Sequence, residues 1–386
     1  MSIALSHEEE MLRDTVRQFF ADEIIPHEEH VDTLGEVPEA LGREITDKAR
    51  ALGLYAANMP ESAGGGGLNH TQMSIVEREF GRTSHALHSW IARPTELLLA
   101  CQDDQIATYL TPCVTGEKRE LFALTEPEAG SDAMGMRTTA KRDGADWILN
   151  GMKHFISAPT MADFAIVFAV TGMDDTPRGP RKRITAFLVD RDMPGVVFRE
   201  GNKCVSNRGY KTYELQFDDV RLGAGHVLGE EGKGFELAGQ WLGMGRIWVG
   251  ATCCGRAERL LELATDWAAN RKQFGKPIGN FQATGFRLAD MSIGLRAADL
   301  MVRDAVQRAD AGNLKDQDAA MVKVFCSEML GRTADDAVQI FGGMGLMEEL
   351  PIQRLWRDAR IERIWDGTSE IQRHIITRSI LRPLGA

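Results

Sequence analysis

Apolar positions recur at helical spacing through the first 120 residues. Met11, Leu12, Val16, Phe19, Phe20, Ile24 and Ile25 line one helix face until Pro26, and Ser6 with Glu9 fits a capping box at its start. The pattern predicts further helices over 38–54, 70–82 and 84–101, the last kinked or broken at Pro94. A glycine-rich loop, Pro60 to Leu68, lies between them without the GxGxxG spacing of a dinucleotide fold. From 121 to about 225 the texture changes to short β-rich runs: Trp147–Leu149, Phe164–Phe168, Ile184–Val189 and Tyr213–Phe217. Turn signals separate them at Asp143-Gly144, at Asn150-Gly151 and in a loop from Gly172 to Arg183. No helical period intervenes, which predicts an antiparallel barrel or sandwich. Helical spacing then returns over 236–270, 281–311 and 316–341, with small residues among the apolar ones, as in a close-packed bundle. The expected class is a multidomain α+β chain. Its parts are an N-terminal helical domain (1–120), a central β domain (121–229) and a C-terminal four-helix bundle (230–386).

The closing stretch, Arg357 to Arg378, predicts two helices with a break at Trp365-Asp366-Gly367-Thr368. Ser369 and Gln372 fit a second capping box. Asp366 thus falls at an elbow, beside an aromatic ring and ahead of a helix N-terminus. A carboxylate there either caps the helix or serves as a base in an apolar pocket, and the stretch alone leaves both open.

Composition narrows the class. The net charge of -11 leaves no basic excess for tracking phosphates, which argues against nucleic acid as a partner. The 6 cysteines are scattered without a CxxC pair, so neither a disulfide framework nor a metal site is expected. No signal peptide and no membrane-spanning stretch is evident, and the expected location is cytoplasmic.

Four stretches carry polar or aromatic groups suited to a ligand. In Phe122 to Asp132, the Thr125 and Ser131 hydroxyls and loop N–H groups suit a polar ring or an anion. Asn150 to Ala158 offers an aromatic near a hydroxyl. Arg271 to Gly279 sets an arginine and Phe274 between two helices, suited to a phosphate and a stacked ring. Gln339 to Gly345 lets a ligand approach the backbone. Singly, each reads as well as a capped loop, an ordinary strand or a helix stop.

In this order and spacing, TEPEAGSD, RKQFGKPIGNFQ and DGTSEIQR resemble the acyl-CoA dehydrogenase family along essentially the whole chain. The resemblance implies a helical, β, helical-bundle fold, a homotetramer arranged as a dimer of dimers, and one FAD per subunit. It implies that Phe122, Leu124, Thr125 and Ser131 meet the flavin on one side, with Phe155 and Ser157 flanking it on the other. Arg271, Phe274, Gln339 and Gly343 would reach the dinucleotide from a neighbouring subunit, and Thr368 and Glu370 would touch it near the elbow. Ser131, Arg246, His88, Trp365 and Gly367 would contact an acyl-CoA. Asp366 would remove the pro-R α-proton while the β-hydrogen leaves as hydride to flavin N5, and electrons would pass to an electron-transfer flavoprotein.

The chain departs from that family at the base, where Asp366 stands for the usual Glu. A second lineage carries its glutamate just before the matched arginine, and that position is Gly245 here. Asp is about 1.5 Å shorter in reach, and a misplacement of about 1 Å can slow a reaction on the order of 100-fold. The shorter base suggests a bulky, branched or cyclic acyl group that presses its reacting carbon toward Asp366. The paired His85 and His88 in the acyl-pocket region point the same way. Phe155 replaces a frequent Trp, which still permits stacking on a flavin. Two rival expectations are a flavin monooxygenase on the same scaffold and a flavin-binding scaffold protein without catalysis.

Overall fold

The structure, a computed structural model, describes residues 5–177 and 179–384. Helices α1 (His7–Glu23), α2 (Glu28–Leu34), α3 (Glu39–Ala51), α4 (His70–Gly81), α5 (His85–His88) and α6 (Thr111–Thr115) come first. The capping box at Ser6 forms in both directions. The expected long helix over 84–101 does not. It stops at His88, and the chain runs extended past Pro94 into a short 3-10 turn at Glu96–Ala100. Proline removes an N–H and pushes the residue before it out of helical geometry, so the helix is broken and not kinked, the second of the two outcomes expected of Pro94.

The middle of the chain is one curled sheet. Its strands are β1 (Glu120–Ala123), β2 (Thr139–Asp143), β3 (Asp146–Ala158), β4 (Phe164–Thr176), β5 (Gly179–Asp190), β6 (Val196–Glu200), β7 (Lys211–Leu222) and β8 (Val227–Leu228). They lie in the order β6-β7-β3-β2-β4-β5-β8, with β1 paired to β4. Pairing is antiparallel except where β4 meets β1 and β2. The stretch expected as a loop, Gly172 to Arg183, instead prolongs the β4–β5 hairpin, with Thr176 opposite Gly179. These arms leave the core, so their side chains are polar and the apolar alternation fades. A cross-strand Arg183–Asp174 pair at 2.5 Å supports them instead.

The last third holds α7 (Gly234–Asn270), a small hairpin of β9 (Lys272–Gln273) and β10 (Lys276–Pro277), α8 (Gln282–Asp310), α9 (Asp316–Phe341), α10 (Pro351–Ala359) and α11 (Ser369–Leu381). Helices α7, α8 and α9 pack on one another and α11 lies along α9, as a four-helix bundle requires. Helix α4 crosses α7 closely. A Cβ at Gly81 would lie 1.9 Å from the Thr252 carbonyl oxygen, and one at Gly255 would lie 1.7 Å from that of Arg78. Only residues without a side chain allow this contact. It locks the N-terminal helices to the bundle and fixes α5 opposite the elbow near Asp366. Among the described residues no helix is long and apolar enough to cross a membrane.

Candidate active site

The elbow between α10 and α11 is built from two consecutive left-handed residues, Asp366 (φ 52) and Gly367 (φ 92). Aspartate tolerates this backbone better than most side chains, since its short carboxyl can bond locally, and glycine adopts it freely. The cap of α11 is shifted by one residue from expectation. Thr368 is the N-cap, its Oγ accepting from the Ile371 N–H, while the Ser369 side chain is buried and caps nothing. Gln372 therefore does not complete a capping box. Its Nε2 donates to the carbonyls of Asp366 (3.2 Å) and Gly367 (2.8 Å). Lys323 Nζ, from α9, donates to the same Gly367 carbonyl at 2.7 Å. The elbow is thus clamped from two helices.

Among the described residues, nothing hydrogen-bonds the Asp366 carboxyl. Burial pushes it above the usual carboxylate range, and the charges of Lys323, Arg246 and Arg93 oppose that without overriding it. Lys323 is itself fully buried, and burial lowers its ammonium from the usual lysine range. Arg246 Nε is sealed from water with no hydrogen-bond partner among the described residues, a donor left over for a bound oxygen. Gly245 faces the same point. A Cβ built on it would lie 3.9 Å from Asp366 Oδ2. The absent side chain at 245 and the present one at 366 share one patch of space.

Aromatic rings wall the approach. Trp365 is oriented by a bond from its Nε1 to Glu362 (2.8 Å), which in turn pairs with the buried Arg256 (2.7 Å). His85 lies 5.1 Å from the Trp365 ring and 4.4 Å, edge-on, from Tyr210. Burial raises the Tyr210 phenol, and the Asp366 charge adds to the shift, so the two groups face a common region. His88 does not reach it. It is 4% exposed, stacked on Phe80 at 4.9 Å, and bonded to His85 at 3.2 Å. The side chain that meets the cleft from α5 is His85.

The residues expected around a flavin ring divide. The His154 backbone N–H donates to the Thr125 carbonyl at 2.9 Å. Lys153 Nζ donates to the Leu124 carbonyl at 3.0 Å. The Thr125 loop and β3 therefore lie side by side. Phe155 sits at a register shift of β3, left-handed (φ 54) and 60% exposed. An exposed aromatic held in a strained backbone beside that loop fits a flat polar ring. Ser157 flanks it, its carbonyl accepting from the Tyr210 hydroxyl at 3.2 Å. Ser131 is exposed at the end of the loop, and Leu124 is buried. The half-buried Phe122 ring is stacked on Trp241 at 4.3 Å and lies 5.1 Å from Phe168, between sheet and α7.

The remaining candidates gather elsewhere. Arg271 and Gly343 line a groove of about 570 Å³ with Trp267, Gln273, Phe341 and Met344. Gln339 is exposed on the last turn of α9 beside it, and Phe274 is 93% exposed at the tip of the β9–β10 hairpin. Arg271 has no ion pair among the described residues. Helix α7 separates this groove from Gly245 by 26 residues (271 − 245), or ~39 Å at helical rise. No single dinucleotide spans both places. Thr368 and the exposed Glu370 stay with the elbow.

Three residues at the site escaped the sequence reading: Lys323, Tyr210 and Arg93. Lys323 had a signal, a lysine inside the apolar run Ala319 to Cys326, since a lysine is rarely buried without a task.

Family models match in series: acyl-CoA dehydrogenase N-terminal domain over residues 6–117, middle domain over 121–220 and C-terminal domain over 232–381. The chain is 37% identical to the 3-(aryl)acrylate reductase of Clostridium sporogenes, covering 98% of this chain and 99% of that one. It is also 37% identical to the caffeyl-CoA reductase-Etf complex subunit CarC of Acetobacterium woodii, again over 98% and 99%. An acyl-CoA dehydrogenase of Bacillus anthracis solved with FAD superposes with a TM-score of 0.88 at 31% identity, over 99% of this chain and 68% of that one. The clamped elbow, the exposed Phe155 beside the Thr125 loop and this series of domains agree, and the chain belongs to the acyl-CoA dehydrogenase family of FAD-dependent oxidoreductases.

Proposed function

We propose that the protein oxidises an acyl-CoA thioester between its α and β carbons, with Asp366 as the base. The observation that carries this is a carboxyl raised by burial, free of hydrogen bonds, on a backbone clamped by Lys323 and Gln372. A base needs to be avid for a proton, and a carboxylate that burial raises and nothing bonds among the described residues is so. Arg246 offers its unpartnered Nε to an oxygen of the bound thioester. Trp365, His85 and Tyr210 exclude water and press the acyl chain toward Asp366. Bound FAD supplies the acceptor for the hydride that leaves the β-carbon.

Phe155, Ser157, Thr125 and Ser131 would hold the flavin ring, with Leu124 behind it and Thr368 and Glu370 at its elbow side. Arg271, Phe274, Gln339 and Gly343 would serve the dinucleotide of a second copy, because the length of α7 keeps them from this chain's own elbow. That division requires an oligomer, and the family resemblance implies a homotetramer. An electron-transfer flavoprotein would take the electrons, in keeping with the Etf complex to which one relative belongs. The ring wall around the elbow, and two relatives named for aryl and caffeyl substrates, favour an acyl group that carries a ring.

Anaerobic titration with straight, branched, cyclic and aromatic-tailed thioesters tests this. One class should bleach the visible flavin band rapidly. Asp366→Asn should slow the bleaching by about 10²- to 10⁴-fold, the usual worth of a general base, while FAD stays bound and reducible by dithionite. Bleaching that is unaffected in Asp366→Asn would end the assignment of the base.

A further inference from the structure

The imidazoles of α5 form a directed chain that ends in the substrate cleft. Thr83 Oγ1 donates to the Phe80 carbonyl at 3.0 Å, which commits its only proton. His88 Nδ1 lies 3.3 Å from that same oxygen and must therefore supply the proton of their contact. The Phe80 carbonyl also favours a proton on the His88 ring. Burial, the neighbouring His85 and the charges of Arg256 and Arg93 all disfavour a second proton, so His88 is neutral and its Nε2 is bare. His88 Nε2 is 3.2 Å from His85 Nδ1, so the latter carries the hydrogen between them. His85 is neutral as well, held down to about 3 by burial and by the Arg256 and Arg93 charges. A neutral imidazole with its proton on Nδ1 has a bare Nε2, which is an acceptor.

That acceptor has no partner among the described residues, and it is not among the polar atoms sealed from solvent. The Tyr210 hydroxyl is committed elsewhere, donating to Ser157 O at 3.2 Å, and Arg93 Nη1 is bonded to Glu77 on α4. Tyr210 and Trp365 meanwhile present ring surfaces to His85. The cleft beside Asp366 therefore combines flat apolar walls with one fixed acceptor.

We propose that His85 Nε2 accepts a hydrogen bond from a hydroxyl carried on the ring of the acyl group, and so selects hydroxylated aromatic thioesters over their unsubstituted counterparts. Thr83 and His88 act at one remove, as residues that fix the direction of the acceptor. This rests on the reading of the protein as an acyl-CoA dehydrogenase, and it adds the polarity of the acyl tail. An acceptor left dry by an unsubstituted ring would go unsatisfied, which is why the discrimination belongs to the hydroxyl.

The test uses the FAD-loaded enzyme and the enoyl thioesters 3-phenylacryloyl-CoA and its 2-, 3- and 4-hydroxyphenyl forms, with binding followed by perturbation of the flavin band. One hydroxy isomer should bind about 5- to 10-fold more tightly than the unsubstituted ring, the range of one hydrogen bond. In His85→Phe, which keeps a ring in the wall, the hydroxylated and unsubstituted forms should bind alike. Histidine-selective ¹⁵N spectra should show His85 Nε2 as an unprotonated nitrogen in the unliganded enzyme, moving when the preferred isomer binds. Equal binding of all four thioesters to the wild type, or a preference that survives in His85→Phe, overturns the proposal, as does a proton on His85 Nε2. If none of the saturated thioesters reduces the flavin, the dehydrogenase reading fails by itself, and the nitrogen spectra still decide the direction of the imidazole chain.

Discussion

Two carboxylates flank the same helix and behave oppositely. Glu258 projects from α7, 13 residues beyond Gly245 (258 − 245), or ~20 Å along the axis. Burial acts to raise it, but Arg78 (2.8 Å), Arg82 (2.6 Å) and Arg17 (3.1 Å) bond it directly and hold it down to about 2. Asp366, beside Gly245, is also raised by burial and also has three cations within electrostatic reach, yet none bonds its carboxyl. The difference is contact. A charge-assisted hydrogen bond stabilises the anion far more than a cation held at a distance. One carboxylate is fixed as structure, and the other keeps a lone pair ready for a proton. Helix α7 thus carries an ion-pair lock between domains at Glu258 and, at Gly245, faces a carboxyl that no cation bonds.

The largest effect should come from moving the carboxylate. Asp366→Ala should slow flavin reduction by about 10²- to 10⁴-fold. Adding Gly245→Glu should then regain at least about tenfold, because a Cβ at 245 points at the space Asp366 Oδ2 occupies, 3.9 Å away. Rapid-mixing reduction with the best thioester of the panel reads both. A double variant no faster than Asp366→Ala would mean that the two positions do not serve one substrate carbon.

Next comes the lock. Glu258→Gln leaves three arginines facing a neutral amide and should lower unfolding free energy by about 2 kcal/mol, below the value for a fully buried pair because the Glu258 side chain is 22% exposed. The sign with pH follows from the depressed carboxyl. Its contribution is present above the unfolded value of about 4.5 and disappears as pH falls toward about 2. Denaturant curves for wild type and variant should therefore differ at pH 6 and converge in acid. A gap that stays constant down to pH 3 would show that Glu258 is not the group responsible.

Much of this was legible in the order of residues, for reasons that differ by element. The long helices α7, α8 and α9 announce themselves because 3.6-residue periodicity persists over many turns. The β4–β5 arms do not, because they carry polar residues on both faces once they leave the core. The elbow at Asp366 was legible because it is local: a turn glycine and a helix start lie within four residues. Lys323 is 43 residues earlier (366 − 323), and only packing α9 against α11 brings it to the Gly367 carbonyl. The neighbours of Phe122 were hidden for a related reason. Strand alternation does not say which ring a partner helix will claim, and Trp241 of α7 claims this one.

The smallest effect is also the finest test of the comparison. Lys323 acts on the elbow in two ways, through a hydrogen bond to the Gly367 carbonyl and through its charge on Asp366. Gln372 makes a bond to the same carbonyl and carries no charge. Lys323→Met removes a cation that favours the carboxylate, so the Asp366 carboxyl should rise further. Because the base works only when ionised, the acid limb of flavin reduction against pH should move to higher pH. Gln372→Leu loosens the same elbow without that charge, and its limb should stay where the wild type has it, even if its plateau falls. If the two variants shift the limb equally, the distant cations of the elbow matter only as scaffolding, and the contrast with Glu258 reduces to burial alone.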